Sequence, residues 1–588
     1  MSTVSTKSNK RKRQRKLAAN SAAKTAAVAD DKPVVADLSQ RSWLIASISI
    51  LLTGAILRLY DLPLVPFHHD EGVNGNFLVR LVRDGFYHYD PENYHGPTLY
   101  YFAAIIPWIF RFLLGQAAQN AHGLTTVNVR LVPALFGLGT IWLVLSLRRR
   151  LGTIGTLAAA ALLAISPGAV YLSRYFIHES LFVFFTLGIV VAGLKYYEEG
   201  HAVYLILAAA SAGLLFATKE TWIISVGVLL IALVVTHVYR LLWRSLVTGR
   251  HRGGRRSPND ATMGFSEWLK DTGKRLGGMG NIAVWSVAAV AIFVIIGVLF
   301  YSSFRTNWKG VSDSLKTFQV WSRTGQTAHV HSGWTYVAKW LPFQEAPLLV
   351  LGALGAALVT WKPKNSFALF AALWAFGIIA AYSLVPYKTP WLMLNFVVPL
   401  ALSSGYAIDY LYQLVKTHEV SRVAVAAALV LWCIAGCVTP NLALAYYAKP
   451  TNWKTLIPGY QTIDLNFFAY DNDDEYYVYV YAHTRRELLR LVDKIDVLAK
   501  QSGTGPTTGI TIISPDYWPL PWYFRDYTRV GYHGRVSTTS EPIIIASQSQ
   551  RAEVETTFGD RYRQLGPSFP LRPGVELLLY VRRDVPAP

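Results

Sequence analysis

Long apolar runs alternate with short polar clusters over residues 39–440. Runs close to the ~20 residues that carry a helix across the hydrocarbon of a bilayer predict spans near 43–60, 129–147, 152–171, 180–197, 203–218, 222–240, 281–301, 345–361, 366–385, 391–411 and 422–439. With the N-terminus inside, these eleven spans put RRR (148–150), the 240–275 loop, WKPK (361–364) and the Lys416–Arg422 loop in the cytoplasm, as the positive-inside bias requires. One segment resists: 97-PTLYYFAAIIPWIFRFLLG-115, counted as a span, would flip every later loop. It therefore reads as an interfacial or re-entrant helix.

Beyond residue 440 the pattern changes. YYVYVYAHT (476–484), GITIIS (509–514), PIIIAS (542–547) and VELLLYV (575–581) read as strands. Between them, 484-TRRE-487 offers a capping box to a helix with the stripe Leu488, Leu491, Val492, Ile495 and Leu498, and a second helix is expected near 550–559. The predicted fold class is a polytopic α-helical membrane protein with a C-terminal α/β domain. Its parts are a basic tail (1–38) expected to be disordered and cytoplasmic, a transmembrane domain (39–440) and an extracytoplasmic domain (441–588) in a cell membrane.

Composition supports the membrane reading. Of 588 residues 52% are hydrophobic and 16% charged, against about 25% charged in soluble domains. The net charge of +20 is concentrated in KSNKRKRQRK (7–16) and RLLWRSLVTGRHRGGRR (240–256), which flank spans. That placement suits topology signals and contact with anionic lipid, not nucleic acid. The first apolar run lacks a small-residue cleavage site, so it reads as a retained anchor. The two cysteines, Cys433 and Cys437, share one face of a predicted span, which excludes a disulfide framework.

The predicted parity places HHDEG, NYHGP, SRYFIHES, TKET, HVHSGW and YKTP at the outer ends of helices. A charge at mid-bilayer costs about 2.5–3.5 kcal/mol on insertion scales, and placement at one membrane face avoids most of that cost. Pro63 and Pro66 end the first helix. Phe77, Leu78, Leu81 and Val82 then share one face, with Arg80 and Arg83 opposite, which predicts a short amphipathic surface helix. Asp70 and Glu71 fall just before its N-terminus, where the helix dipole favours an ionised carboxylate able to take a proton or hold a divalent metal. The plainer alternative is an N-cap with a solvated neighbour. His95, Arg174, His178, Glu179, Lys219, Glu220, His329, His331 and Lys388 sit in the other clusters. Taken singly each suits an interfacial anchor; together they supply carboxylates for a base or metal and cations for a phosphate. DYWPLPWYFRDY (516–527) is dense in aromatics that could stack on a glycan or lie on the membrane surface.

The ordered strings DEG, HGPTLYY, SPGAVYLSRYFIHESLFVFFTLG, GLLFATKETW, HSGWTY and YSLVPYKTPWLMLNFVVPLAL resemble the GT-C glycosyltransferases over about residues 40–580. Within that superfamily they are similar to the protein O-mannosyltransferases and the lipid A aminoarabinose transferases. They look nearest to the branch described as flippase-activity-associated membrane proteins. The resemblance implies transfer of a mannose-like hexose, with inversion, from a polyprenyl-phosphate donor to a hydroxyl of a glycan, lipid or protein acceptor at the outer face. It implies Asp70 as base with Glu71 in support, Arg174, Lys219 and Lys388 near the lipid phosphate, and His95, Glu179 and His331 as metal or acceptor ligands. Glu179 replaces the more usual Asp, and Gly96-Pro97 replaces a Lys-Pro, which leaves a divalent metal an open expectation. The competing classes are a lipid-linked-glycan translocase or accessory protein and a non-catalytic scaffold. Transporter sites lie at mid-membrane on broken helices, whereas here the polar groups are predicted at one end.

Overall fold

The apolar runs fold as helices because a backbone in hydrocarbon must satisfy its own hydrogen bonds. The computed structural model describes residues 38–93, 95–250, 273, 278–326, 333–416, 460–470 and 477–585. Numbering helices of seven residues or more, the membrane part comprises α1 (Gln40–Leu59), α2 (His69–Asp84), α3 (Thr98–Leu114), α4 (Thr126–Leu145), α5 (Thr153–Ile165), α6 (Pro167–Ser173) and α7 (Glu179–Glu199). It continues with α8 (Ala202–Phe216), α9 (Trp222–Arg250), α10 (Met279–Tyr301), α11 (Lys309–Gln326), α12 (Ala346–Trp361), α13 (Ser366–Leu384) and α14 (Leu394–Lys416).

Among the described residues seven helices are long and apolar enough to cross a membrane, or nine if each of two bent pairs counts as one span. One bent pair falls in the predicted span 152–171, and the other joins the predicted span 345–361 to the segment before it. The 152–171 run breaks between α5 and α6 with a 58° bend, where Ser166 precedes Pro167 and its hydroxyl takes the Ala169 amide. The 345–361 run is preceded by Tyr336–Gln344 at 116°. The predicted span 203–218 becomes the shorter α8, and 97–115 becomes α3, a 17-residue helix with Pro107 inside it. The predicted span 422–439, Cys433 and Cys437 lie outside the described residues, as does the tail 1–37.

Helix α14 is the hub, 83% buried over its apolar window, whereas α10 is 6% buried. Close approach at the hub depends on missing side chains. A Cβ on Gly405 would lie 2.2 Å from the Gly155 carbonyl oxygen, and one on Gly355 would lie 2.1 Å from that of Ser403. Small residues at such crossings let backbones gain the dispersion contacts that replace a hydrophobic driving force in lipid.

The C-terminal domain contains α15 (Glu487–Gln501), α16 (Arg551–Phe558) and six strands: β1 (Gly509–Ile512), β2 (Arg529–Tyr532), β3 (Ile543–Ser547), β4 (Tyr562–Gln564), β5 (Phe569–Arg572) and β6 (Val575–Arg582). The sheet order is β2-β1-β3-β6-β4, with β5 also on β6. β1 runs parallel to β2 and β3, and β6 antiparallel to β3, β4 and β5. The predicted stripe of α15 is the buried one.

Two local expectations are corrected. Residues 477–484 form turns, not a strand: Ala482 has φ 49°, and Tyr477, Tyr479 and Val480 pack into the membrane-domain core. The capping box at Thr484 does not form. Thr484 is buried, the Arg485 amide donates to the Leu571 carbonyl of β5, and α15 starts at Glu487 without a side-chain cap.

Candidate functional site

Helix α2 holds the first part of the site. His68 is its N-cap, so Asp70 and Glu71 lie in its first turn and not before it. Glu71 is fully buried and completely engaged. Its two oxygens accept from Arg130 at 2.8 and 2.6 Å, from the Phe176 amide at 2.7 Å and from the His68 amide at 2.9 Å. Arg130 also donates to the carbonyls of Leu62, Val65 and Pro66. One buried ion pair thus gathers the 62–66 connector, the start of α2 and the loop before α7. Asp70 differs. It is half-buried, and among the described residues its carboxylate makes no hydrogen bond or ion pair.

The second part is assembled around Gly96. Its amide donates to the Thr218 carbonyl, its own carbonyl accepts from His178 Nε2 at 3.0 Å, and a Cβ there would sit 2.1 Å from the Ala217 oxygen. Only glycine permits this approach, which brings NYHGP against TKET as a small antiparallel bridge, His95 opposite Lys219. His95 Nδ1 then meets Glu220 at 3.0 Å, Lys219 Nζ meets Glu179 at 2.6 Å, and the His95 and His178 rings stand 5.0 Å apart. Asn74 of α2 donates to the Phe176 carbonyl and accepts from Tyr100, which couples this cluster to the Glu71 clamp.

Lys388 is buried beside the ring of Tyr336, its ammonium donating to the carbonyls of Tyr382, Ser383 and Val385 at the end of α13. It belongs to the same end of the bundle as Asp70. His68 Nε2 meets the Tyr481 carbonyl at 2.9 Å, and the Tyr481 ring meets Trp391, three residues beyond Lys388, at 6.0 Å. Arg174 lies near Arg130 of the clamp, donates to the carbonyls of Leu57, Tyr60 and Asp61 and lies over Phe467, closing the C-terminus of α1. His331 and His329 lie outside the described residues. Among the described residues no three His, Cys, Asp or Glu side chains gather as a metal site. His95 and Glu179 are engaged by Glu220 and Lys219 respectively.

The aromatic stretch 516–527 has Trp522 and Phe524 buried and Tyr517, Trp518, Tyr523 and Tyr527 half-buried. It docks the C-terminal domain on α2. Trp522, 1% exposed, stacks on Phe67 with centroids 4.4 Å apart and planes at 10°. Side chains at Gly72 and Gly75 would collide with Pro519 and Trp522. The Phe67 amide donates to the Tyr523 hydroxyl at 2.9 Å, Arg83 pairs with Asp526 at 2.6 Å, and Arg525 donates to the Leu124 carbonyl. Arg572 approaches His69 and pairs with Asp516, and burial chiefly lowers the His69 imidazole below its usual value.

Arg130, Asn74 and Tyr100 were not singled out from the sequence. The available signal was Arg130 itself, an arginine one residue inside the predicted span 129–147, because an ionisable group in a span needs a partner.

Residues 96–248 match the family model described as dolichyl-phosphate-mannose-protein mannosyltransferase. No curated protein matches the sequence. In fold the chain is similar to ArnT from Cupriavidus metallidurans bound to undecaprenyl phosphate, with a TM-score of 0.55 and 15% identity over 94% of this chain and 100% of that one. The apo state of the same enzyme gives 0.51 and 14% over 92% and 98%. The Archaeoglobus fulgidus oligosaccharyltransferase in its apo form gives 0.47 and 14% over 84% and 64%. The chain has the fold of the GT-C glycosyltransferases and is a multi-pass membrane protein.

Proposed function

We propose that this chain is a membrane glycosyltransferase that moves a mannose-like hexose from a polyprenyl-phosphate donor to a hydroxyl acceptor at the outer face of the membrane. The observation that carries the reading is the contrast between neighbours at the start of α2. Glu71 is fixed by Arg130 and two amides, while the half-buried Asp70 has no hydrogen bond or ion pair among the described residues. Glu71 is a positioning group in this reading and Asp70 the base.

Asp70 takes the proton of the acceptor hydroxyl as its oxygen attacks the anomeric carbon. The bond from that carbon to the phosphate oxygen breaks on the opposite side, and the polyprenyl phosphate leaves with the electron pair. One displacement inverts the configuration. Lys219 and Lys388 lie at the same end as Asp70 and are the cations proposed to offset the leaving charge. In the resting state each is held by protein partners, Glu179 and three carbonyls respectively. Donor binding is therefore proposed to exchange some of those contacts for phosphate. The family model over 96–248, which contains Arg174, Glu179 and Lys219, supports a mannose-like sugar. Arg174, on the carbonyls of α1, is assigned to shaping the site and not to the phosphate.

In this proposal the N-terminus is cytoplasmic, the α/β domain is outside, and the acceptor arrives from that outer side. The test is purified protein in proteoliposomes with a radiolabelled polyprenyl-phosphate hexose and extracted acceptors. Label moving to acceptor is expected. Lipid translocation without transfer would replace the reading with that of a translocase, and neither activity would leave a scaffold.

A further inference from the structure

The cap of helix α2 is a histidine whose two ring nitrogens are both used. Nδ1 faces the Asp70 amide at 3.2 Å and Nε2 faces the Tyr481 carbonyl at 2.9 Å. A carbonyl only accepts and an amide N–H only donates, so the ring is neutral with its proton on Nε2 and a bare Nδ1. The His68 amide in turn donates to Glu71. Because the ring is 4% exposed, water has little room to substitute for either bond. Tyr481 belongs to the segment that leads into the C-terminal domain, so one imidazole ties that segment to the turn carrying Asp70.

We infer that His68 is a positioning residue for Asp70, through which the Tyr481 segment sets the first turn of α2 and protonation releases it. This rests on the reading of Asp70 as the base. A second proton can go only to Nδ1, and it would place an N–H against the Asp70 N–H. The N-cap would be lost and the turn freed, while the Nε2 bond to Tyr481 would survive.

The surroundings decide how the second proton is received. From α2 the ring faces Asp70, His69 and Glu71; from α4, Arg130; from the α6–α7 connection, Tyr175, with ring centroids 5.6 Å apart. From the C-terminal segment it faces His483, with centroids 5.9 Å apart, and Arg485 beyond it. Glu71 and Arg130 offset one another as a pair. His483 Nδ1 meets the Tyr175 hydroxyl at 2.6 Å, and among the described residues its Nε2 has no partner.

The test compares wild type, His68→Asn and His68→Ala by hydrogen exchange of peptides spanning 67–77 and by transfer rate, both between pH 7.5 and 5.5. Asn keeps a cap acceptor and does not titrate. In wild type the start of α2 is expected to lose protection about five-fold as the pH falls, the factor that loss of a helix cap carries. The acid-side fall in transfer rate should follow the same curve. His68→Asn is expected to flatten both profiles at a rate up to about ten-fold lower at neutral pH, and His68→Ala to show the unprotected turn at every pH. Equal protection of wild type at the two pH values, or an unchanged acid limb in His68→Asn, would overturn the inference. The exchange experiment needs no substrate, so it can fail while transfer succeeds, or succeed if the transferase reading fails.

Discussion

Replacing Glu71 by Ala strands Arg130, whose side chain is 1% exposed against a carboxylate at 0%. Three carbonyls remain to the guanidinium, but no counter-charge, and the Phe176 and His68 amides lose their acceptor. Breaking a buried pair by removing one partner costs about 3–5 kcal/mol, and an orphaned buried donor ~1–3 kcal/mol. These contributions overlap, so about 4 kcal/mol is the expected loss for Glu71→Ala, and a similar loss for Arg130→Met. The double replacement removes both charges and should cost at least ~2 kcal/mol less than the sum of the singles. The assay is unfolding of purified protein in graded denaturing detergent, followed by tryptophan fluorescence, for the four members of the cycle. Losses that add within about 0.5 kcal/mol would show that the two side chains act independently, and the clamp holding α2 would be refuted.

Trp522→Ala removes an indole stacked on Phe67 and should cost about 3–5 kcal/mol, visible as faster proteolysis between the membrane part and the α/β domain. Gly75→Val should loosen the same interface, since even a Cβ there would lie 2.7 Å from the Trp522 ring; unaltered proteolysis would contradict the docking geometry. Lys219→Met leaves Glu179 buried without its cation and should lower both donor binding and stability, the latter by about 3–5 kcal/mol, measured by lipid-phosphate titration and detergent unfolding. Burial first, then His68, Arg130 and Arg485, holds His483 well below the usual imidazole value. The unfolded chain then binds a proton that the folded one refuses, so this stability is complete above about pH 6.5 and is lost below it, at up to ~1.4 kcal/mol per pH unit. Unfolding at pH 7.5 and 5.5 should show that loss, and His483→Gln should reduce it.

The helices were legible because hydropathy acts over whole segments. The strands at 509–514, 542–547 and 575–581 were legible because each is a continuous apolar run between turn residues. The YVYVY alternation misled because its tyrosines turn into the membrane core, where Tyr479 donates to the buried Glu345, and a period of two cannot tell a sheet face from a folded turn. The short strands β2, β4 and β5 carry no pattern longer than four residues. The clusters at DEG, NYHGP, SRYFIHES and TKET were readable as one end of the bundle. Their pairing was not, since His95 with Glu220 and Lys219 with Glu179 depend on the close approach at Gly96. The Arg130–Glu71 pair joins residues 59 apart in sequence, and local spacing carries no trace of it.

The central claim is that Asp70 removes the acceptor proton. Single-turnover transfer should be compared for wild type and Asp70→Asn in proteoliposomes, with donor binding measured separately. A general base contributes about 10²–10⁴-fold, so Asp70→Asn should bind the polyprenyl-phosphate hexose as wild type does and transfer it at least ~100-fold more slowly. Transfer within about three-fold of wild type would contradict the account.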